Sequence, residues 1–160
     1  MRSAPRRVLK DKGKREFPDH PVVGVGAVVI DRGRVLLIRR GREPLKGHWS
    51  IPGGVLELGE ELTQGLRREL REETGLEVTP LEVIAIFDRI FREGAKVRYH
   101  YVIVDYVCRK RAGRVQSGSD VTEARWVHRA DLARYELSKR ATSVILRAFS
   151  YFEHQRRRRG

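Results

Sequence analysis

The stretch GVLELGEELTQGLRRELREETGL, Gly54 to Leu76, decides how this 160-residue chain is read. Its periodicity predicts a helix from about Glu60 to Thr74. Glu60 and Glu61 suit the positive end of the helix dipole. Gly75 can take the left-handed position that ends the helix, with Leu76 folding back as its hydrophobic contact. At roughly 100° per residue, Leu62, Leu66 and Leu70 form one apolar stripe. On the same scale Glu73 falls about 20° from the centre of that stripe and Glu69 about 60°, with Glu72 to the side of Glu69.

A solvated helix face would set its acids opposite the leucines. Carboxylates beside a buried stripe lose hydration and repel one another, so they need a cation. Oxygen ligands at i, i+3 and i+4 suit Mg²⁺ or Mn²⁺ better than zinc. The plainer alternative is a surface helix whose acids pair with Arg67, Arg68 and Arg71.

These residues also carry a family pattern. The segment resembles the Nudix box, G-x5-E-x7-R-E-U-x-E-E-x-G-U with U apolar. Gly54, Glu60, Arg68, Glu69, Leu70, Glu72, Glu73, Gly75 and Leu76 fill every fixed place. At fold level the likeness extends over roughly Val22 to Phe152. It implies an α/β fold, a Nudix-like α/β/α sandwich with a mixed central β-sheet. The implied activity is hydrolysis of a nucleoside diphosphate linked to another group, with ADP-ribose or a related nucleotide sugar favoured. A nucleoside triphosphate pyrophosphatase and a non-catalytic nucleotide sensor stand as alternatives.

The resemblance further implies Glu69, Glu72 and Glu73 as ligands of Mg²⁺ or Mn²⁺, one of them able to serve as base. The Gly53 carbonyl is a candidate backbone ligand. Glu60 is a supporting acid or a ligand of an additional metal, and Arg68 holds the glutamates by ion pairs. Arg40 matches a phosphate-binding arginine of some relatives, with a solvent-facing charge as the alternative. Glu123, and with less weight Asp120, precede Trp126 where many relatives place a remote catalytic acid. Tyr99, Tyr101 and Phe91 can stack on a base or simply fill the core.

The surrounding chain reads as strands and one further helix. Val22 to Ile30 and Val35 to Arg39 form a hairpin, and Trp49 to Ile51 leads into a turn at Pro52-Gly53-Gly54. Leu81 to Phe87, Arg98 to Cys108 and Ala124 to His128 are further strands. Asp131 caps a short helical turn through Arg134, and Ser138 caps a last helix to about Glu153.

The length suits one domain, residues 21–154, between a basic arm at 1–20 and a basic tail at 155–160. Of the net charge of +13, +4 lies in residues 1–20 and +3 in the last eleven. Such tails can bind nucleic acid, although solubilising is their commoner role. The expected partner is a small nucleotide, and a homodimer is left open. No run is long enough to span a membrane, and the basic N-terminus has no apolar signal core. The single cysteine, Cys108, excludes an internal disulfide. A reducing, cytoplasmic setting is expected.

Overall fold

The structure, a computed structural model, describes residues 15–118 and 120–160. Seven strands run in chain order: β1 (Val22–Asp31), β2 (Arg34–Arg40), β3 (Trp49–Ser50), β4 (Gly53–Val55), β5 (Glu77–Glu93), β6 (Lys96–Ala112) and β7 (Val121–His128). The helices are α1 (Leu62–Thr74) between β4 and β5, and α2 (Lys139–Arg157) at the end, preceded by a 3₁₀ turn over Arg129–Tyr135.

The sheet order is β3-β2-β1-β6-β5, with β7 also on β2 and β4 also on β1. β1 and β6 are parallel while the other pairings are antiparallel, so the sheet is mixed. Alternation along β1 explains the layers. Val25, Ala27 and Val29 face one side and meet Leu66, Leu70 and Leu76 around α1. Val28 and Ile30 face the other side and meet Val144, Ile145, Ala148 and Phe149 of α2. A two-residue period that is apolar on both faces is what a helix-covered sheet requires.

Helix α1 begins two residues later than its acids suggested. Glu61 is the N-cap, and its backbone N–H donates to Gln64 Oε1 at 2.9 Å. The far end follows the expectation: Gly75 sits at φ 71°, its N–H returns to the Arg71 carbonyl, and Leu76 is fully buried. The carbonyls of Glu73 and Thr74 accept from Gly118 and Gln116, so the β6–β7 loop ties down the helix C-terminus.

Several expectations were too short. β5 and β6 join in a hairpin turning at Gly94, and each is longer than the strands expected at 81–87 and 98–108. The glycines after Pro52 are strand β4, not only a turn. Ser138 caps α2 as expected, its Oγ accepting from Ala141 N, but the helix runs into the basic tail as far as Arg157. The 3₁₀ turn is capped at His128, and Asp131 lies within its first turn. Residues 1–14 of the basic arm lie outside the described residues. Residues 15–20 lie against the domain, with Phe17 N bonded to Arg98 O and Glu16 to the Arg98 guanidinium. Cys108 is fully buried, and burial pushes its thiol up to about 12, so it behaves as a small core residue. No described helix is long and apolar enough to cross a membrane.

One topological detail positions everything that follows. β1 pairs with β2 only at Ile30 and Asp31, next to the hairpin turn. Toward its start β1 pairs instead with β4, through Gly24, Val25 and Gly26. The sheet therefore forks, and a cleft opens in the fork.

Candidate active site

The cleft has a volume of about 1030 Å³ and is walled by β1, β4, α1, the middle of β5 and β6, and the start of α2. On its α1 wall stand Glu60, Arg68, Glu69, Glu72 and Glu73. The helix presents them there because its leucine stripe is pinned to the sheet, which forces the neighbouring acids toward β4. Gly54 permits the contact: a Cβ at that position would lie 2.2 Å from the Glu69 carboxylate carbon. Any side chain on that residue would displace the acid.

Glu73 is only 8% exposed, and its Oε2 accepts the Gly53 backbone N–H at 3.0 Å. Burial is the largest influence on this carboxyl and pushes it up to about 8, against the Gly53 hydrogen bond; the nearby Glu69 charge adds to the rise. Glu69 is raised as well, again mainly by burial, with Arg68 opposing. Two desolvated carboxylates side by side form a site short of positive charge.

Arg68 supplies part of that charge. Its Nε and Nη2 donate to the two Glu60 oxygens at 2.5 and 3.0 Å. Its Nη1 donates to Glu69 at 2.8 Å and to Glu72 at 3.4 Å, while Nη2 also reaches the Val55 carbonyl. The hydrogen bond to Glu60 is the main reason its proton is held more tightly than usual. Glu60 in turn accepts from Glu57 N at 2.8 Å, which fixes the loop before the helix. The planar fork of an arginine suits this role, since one guanidinium serves three carboxylates and a carbonyl.

Among the described residues no three His, Cys, Asp or Glu side chains close around one point as a ready metal cage. The donor set is nonetheless suited to a hard cation: carboxylate oxygens of Glu69, Glu72 and Glu73, with a glycine backbone beside them. The rise of Glu69 and Glu73 is the electrostatic deficit that a divalent cation reverses.

The other anticipated residues divide. Arg40 lines the cleft, its Nε bonded to the Pro44 carbonyl at 2.8 Å. Tyr101 also lines it. Tyr99 lies behind, stacked on Tyr101 with centroids 6.3 Å apart and edge-on to Phe91. Glu123 sits on β7 outside the cleft lining, paired with Arg39 at 3.2 Å and Arg125 at 2.6 Å. Asp120, just before β7, is in the lining, with Arg42 at 2.6 Å.

Among the cleft residues that escaped the sequence reading are Asp105, Arg89, Phe87 and Arg140. A lone acid inside the apolar run YVIVDYVC was the available signal for Asp105. The other three come together only through the register of β5 on β6 and the approach of α2.

Residues 20–148 match the family model described as the NUDIX domain. The ADP-ribose pyrophosphatase of Methanocaldococcus jannaschii is 30% identical over 121 residues, covering 74% of this chain and 70% of that protein. Nucleoside triphosphatase NudI of Escherichia coli is 30% identical over 107 residues, covering 63% and 75% respectively. Among solved structures, the MutT NUDIX hydrolase of Burkholderia pseudomallei superposes with a TM-score of 0.70 at 26% identity, over 79% of this chain and 97% of that one. With a mixed sheet between two helices and this match over most of its length, the chain belongs to the Nudix family as a pyrophosphohydrolase.

Proposed function

We propose that the chain hydrolyses the pyrophosphate bond of a nucleoside diphosphate joined to another group, with ADP-ribose or a related nucleotide sugar as substrate and Mg²⁺ or Mn²⁺ as cofactor. The observation that carries the reading is the pair of shielded acids, half-buried Glu69 and buried Glu73, on the wall of a cleft large enough for a nucleotide. A diphosphate would be repelled by those acids alone. The name of the M. jannaschii relative favours ADP-ribose.

Glu69, Glu72 and Glu73 would hold the metal, with the Gly53 carbonyl as a backbone donor. A cation held by these residues would supply charge neutralisation for the diphosphate and a more acidic water. Glu73 is kept in place by the Gly53 N–H, and Arg68 fixes Glu69 and Glu72 from the opposite side. Glu60 stands behind Arg68 and sets its orientation. Arg40 lies on the phosphate side, and Tyr101 offers a ring to the nucleoside. Hydrolysis forms a bond from water oxygen to phosphorus and breaks the bridging P–O bond, with one of the three glutamates accepting the water proton. Of the two acids before Trp126, Asp120 is in reach of the cleft, while Glu123 is held by arginines.

The test is AMP or phosphate release from ADP-ribose, other nucleotide sugars and nucleoside triphosphates with Mg²⁺, for the wild type and Glu73→Gln. ADP-ribose should be the preferred substrate, and the variant should lose at least about a hundredfold in kcat. Preference for triphosphates would make this an enzyme of the NudI kind. Tight nucleotide binding without turnover on any compound would make it a sensor.

A further inference from the structure

Asp105 is the most deeply buried of the cleft acids that the chemistry above leaves unused. The residue is 2% exposed and no described residue donates to its carboxylate; since no fully buried side-chain oxygen among the described residues lacks a partner, that carboxylate opens onto the cleft. A buried carboxylate costs several kcal/mol of hydration unless something donates to it, so one without a partner marks a place where a ligand supplies the donors.

Its direction is fixed by a glycine. Asp105 lies on β6 opposite Gly26 of β1, and Gly26 lies opposite Gly53 of β4. A Cβ on Gly26 would lie 2.1 Å from Asp105 Oδ1. The carboxylate therefore leans over Gly26 on the face of β1 that carries Val28 and Ile30, inside the same cleft that reaches β4 and the acidic helix. Two inter-strand spacings separate Asp105 from Gly53, about 10 Å between their Cα atoms. Along β6, at right angles to that line and on the face of Asp105, come Ile103 opposite Phe87, then Tyr101 opposite Arg89. Each step is about 7 Å along the strand.

We infer that Asp105 binds the vicinal 2′,3′-diol of the nucleoside ribose, each hydroxyl donating to one carboxylate oxygen. The inference rests on the substrate being a nucleotide, as proposed above, and adds the group that selects a ribonucleotide over its deoxy counterpart. The order of chemistry along the cleft follows the order of parts in a nucleotide. Acids beside Gly53 take the diphosphate, Asp105 takes the sugar, and the ring of Tyr101 with Arg89 takes the base. A carboxylate is all acceptor and a vicinal diol offers two donors at matching spacing, the same pairing that holds ribose in dinucleotide-binding folds. Burial pushes the Asp105 carboxyl up to about 6 against the pull of Arg89 and Arg140, so it remains ionised at neutral pH.

The experiment compares the Kd of ADP, 2′-deoxy-ADP, 3′-deoxy-ADP and GDP by calorimetry, for the wild type, Asp105→Asn and Asp105→Ala. The wild type should bind ADP about tenfold or more tighter than either deoxy analogue, as loss of a hydrogen bond to a charged group requires. Asp105→Ala should bring those ratios to within about twofold, with Asp105→Asn between, and both should keep the wild-type ADP to GDP ratio. Melting curves confirm that each variant is folded, and a merely structural Asp105 would weaken all four ligands equally. The idea is overturned if the ribo-to-deoxy ratios are unchanged in the variants, or if the ADP to GDP ratio shifts in their place. Failure of ADP-ribose turnover in the hydrolysis panel, with the diol ratios intact, would remove only the substrate assignment.

Discussion

The backbone N–H of Gly53 donates to Glu73 Oε2 at 3.0 Å, a direct hydrogen bond from the glycine strand to a carboxylate of the acidic helix. That contact places the least hydrated acid of the helix beside the fork where β1 leaves β2 for β4. Neither element makes the site alone. The helix brings charge that water no longer screens, and the strand brings backbone close enough to share a ligand with it.

Glu73→Gln separates the two roles of this residue. The amide oxygen of glutamine still accepts the Gly53 N–H, so the fold should persist and Tm should change little. The charge needed for a divalent cation is gone. Mg²⁺ should therefore raise the Tm of the wild type and leave the variant unmoved, a difference that thermal denaturation with and without EDTA measures directly. An equal Mg²⁺ response in both proteins would remove Glu73 from the metal site.

Arg68→Lys should be far from conservative. A lysine ammonium cannot serve Glu60, Glu69, Glu72 and the Val55 carbonyl at once. Both Glu60 and Glu69 are mostly shielded, at 18% and 13% side-chain exposure, so part of their charge is left uncompensated. A loss of about 3 kcal/mol in urea unfolding is expected, at the low end for breaking a buried pair. Wild-type stability in Arg68→Lys would mean that the network is decoration.

The Gly54–Leu76 segment showed its chemistry in advance because helix periodicity is local. Three leucines one turn apart dictate which acids turn inward, and the buried Leu66, Leu70 and Glu73 follow from that count alone. The cleft was not legible in the same way. Asp105, Arg89 and Phe87 face one another through the register of β5 on β6, which turn residues at Gly94 and bulges along β5 set over long separations. The start of the cleft wall at Arg15 looked like featureless basic arm, since nothing in its own sequence says that Phe17 will bond to Arg98.

Leu70→Ala tests the premise that packing aims the acids. Leu70 is fully buried under the sheet and sits between Glu69 and the Glu72–Glu73 pair. Truncation should cost about 2–5 kcal/mol of unfolding free energy. Activity at a temperature where the variant remains folded should also fall, because the helix loses its fixed rotation. If only stability suffers, the orientation of the acids is set by Arg68 and not by the leucine stripe.

The two acids before Trp126 make a paired prediction. Glu123 is drawn below the usual carboxylate range chiefly by its hydrogen bond to Arg39 and stands outside the cleft lining, whereas Asp120 faces the cleft. Asp120→Asn should lower kcat by at least about tenfold, and Glu123→Gln by less than about threefold. The reverse ranking in a kcat measurement would show that the β7 arginines release Glu123 during turnover.

Asp105 also makes a prediction about stability and pH in the nucleotide-free protein. Its folded value of about 6 lies above the ordinary 3.8, because burial penalises the ionised form more than Arg89 and Arg140 favour it. The folded protein thus binds this proton more readily than the unfolded chain does. The stability it contributes is present below about pH 3.8 and declines as pH rises through about 6. A shift of this size corresponds to about 3 kcal/mol at most. Asp105→Asn removes the ionisation while keeping the shape, so wild type and variant should melt together near pH 4 and diverge by pH 8, where the variant is the more stable. Saturating ADP should close that gap, since the ribose hydroxyls then supply the wild-type carboxylate with the donors the protein withholds. Parallel melting curves for the two proteins from pH 4 to pH 8 would show that Asp105 already has its partner within the fold.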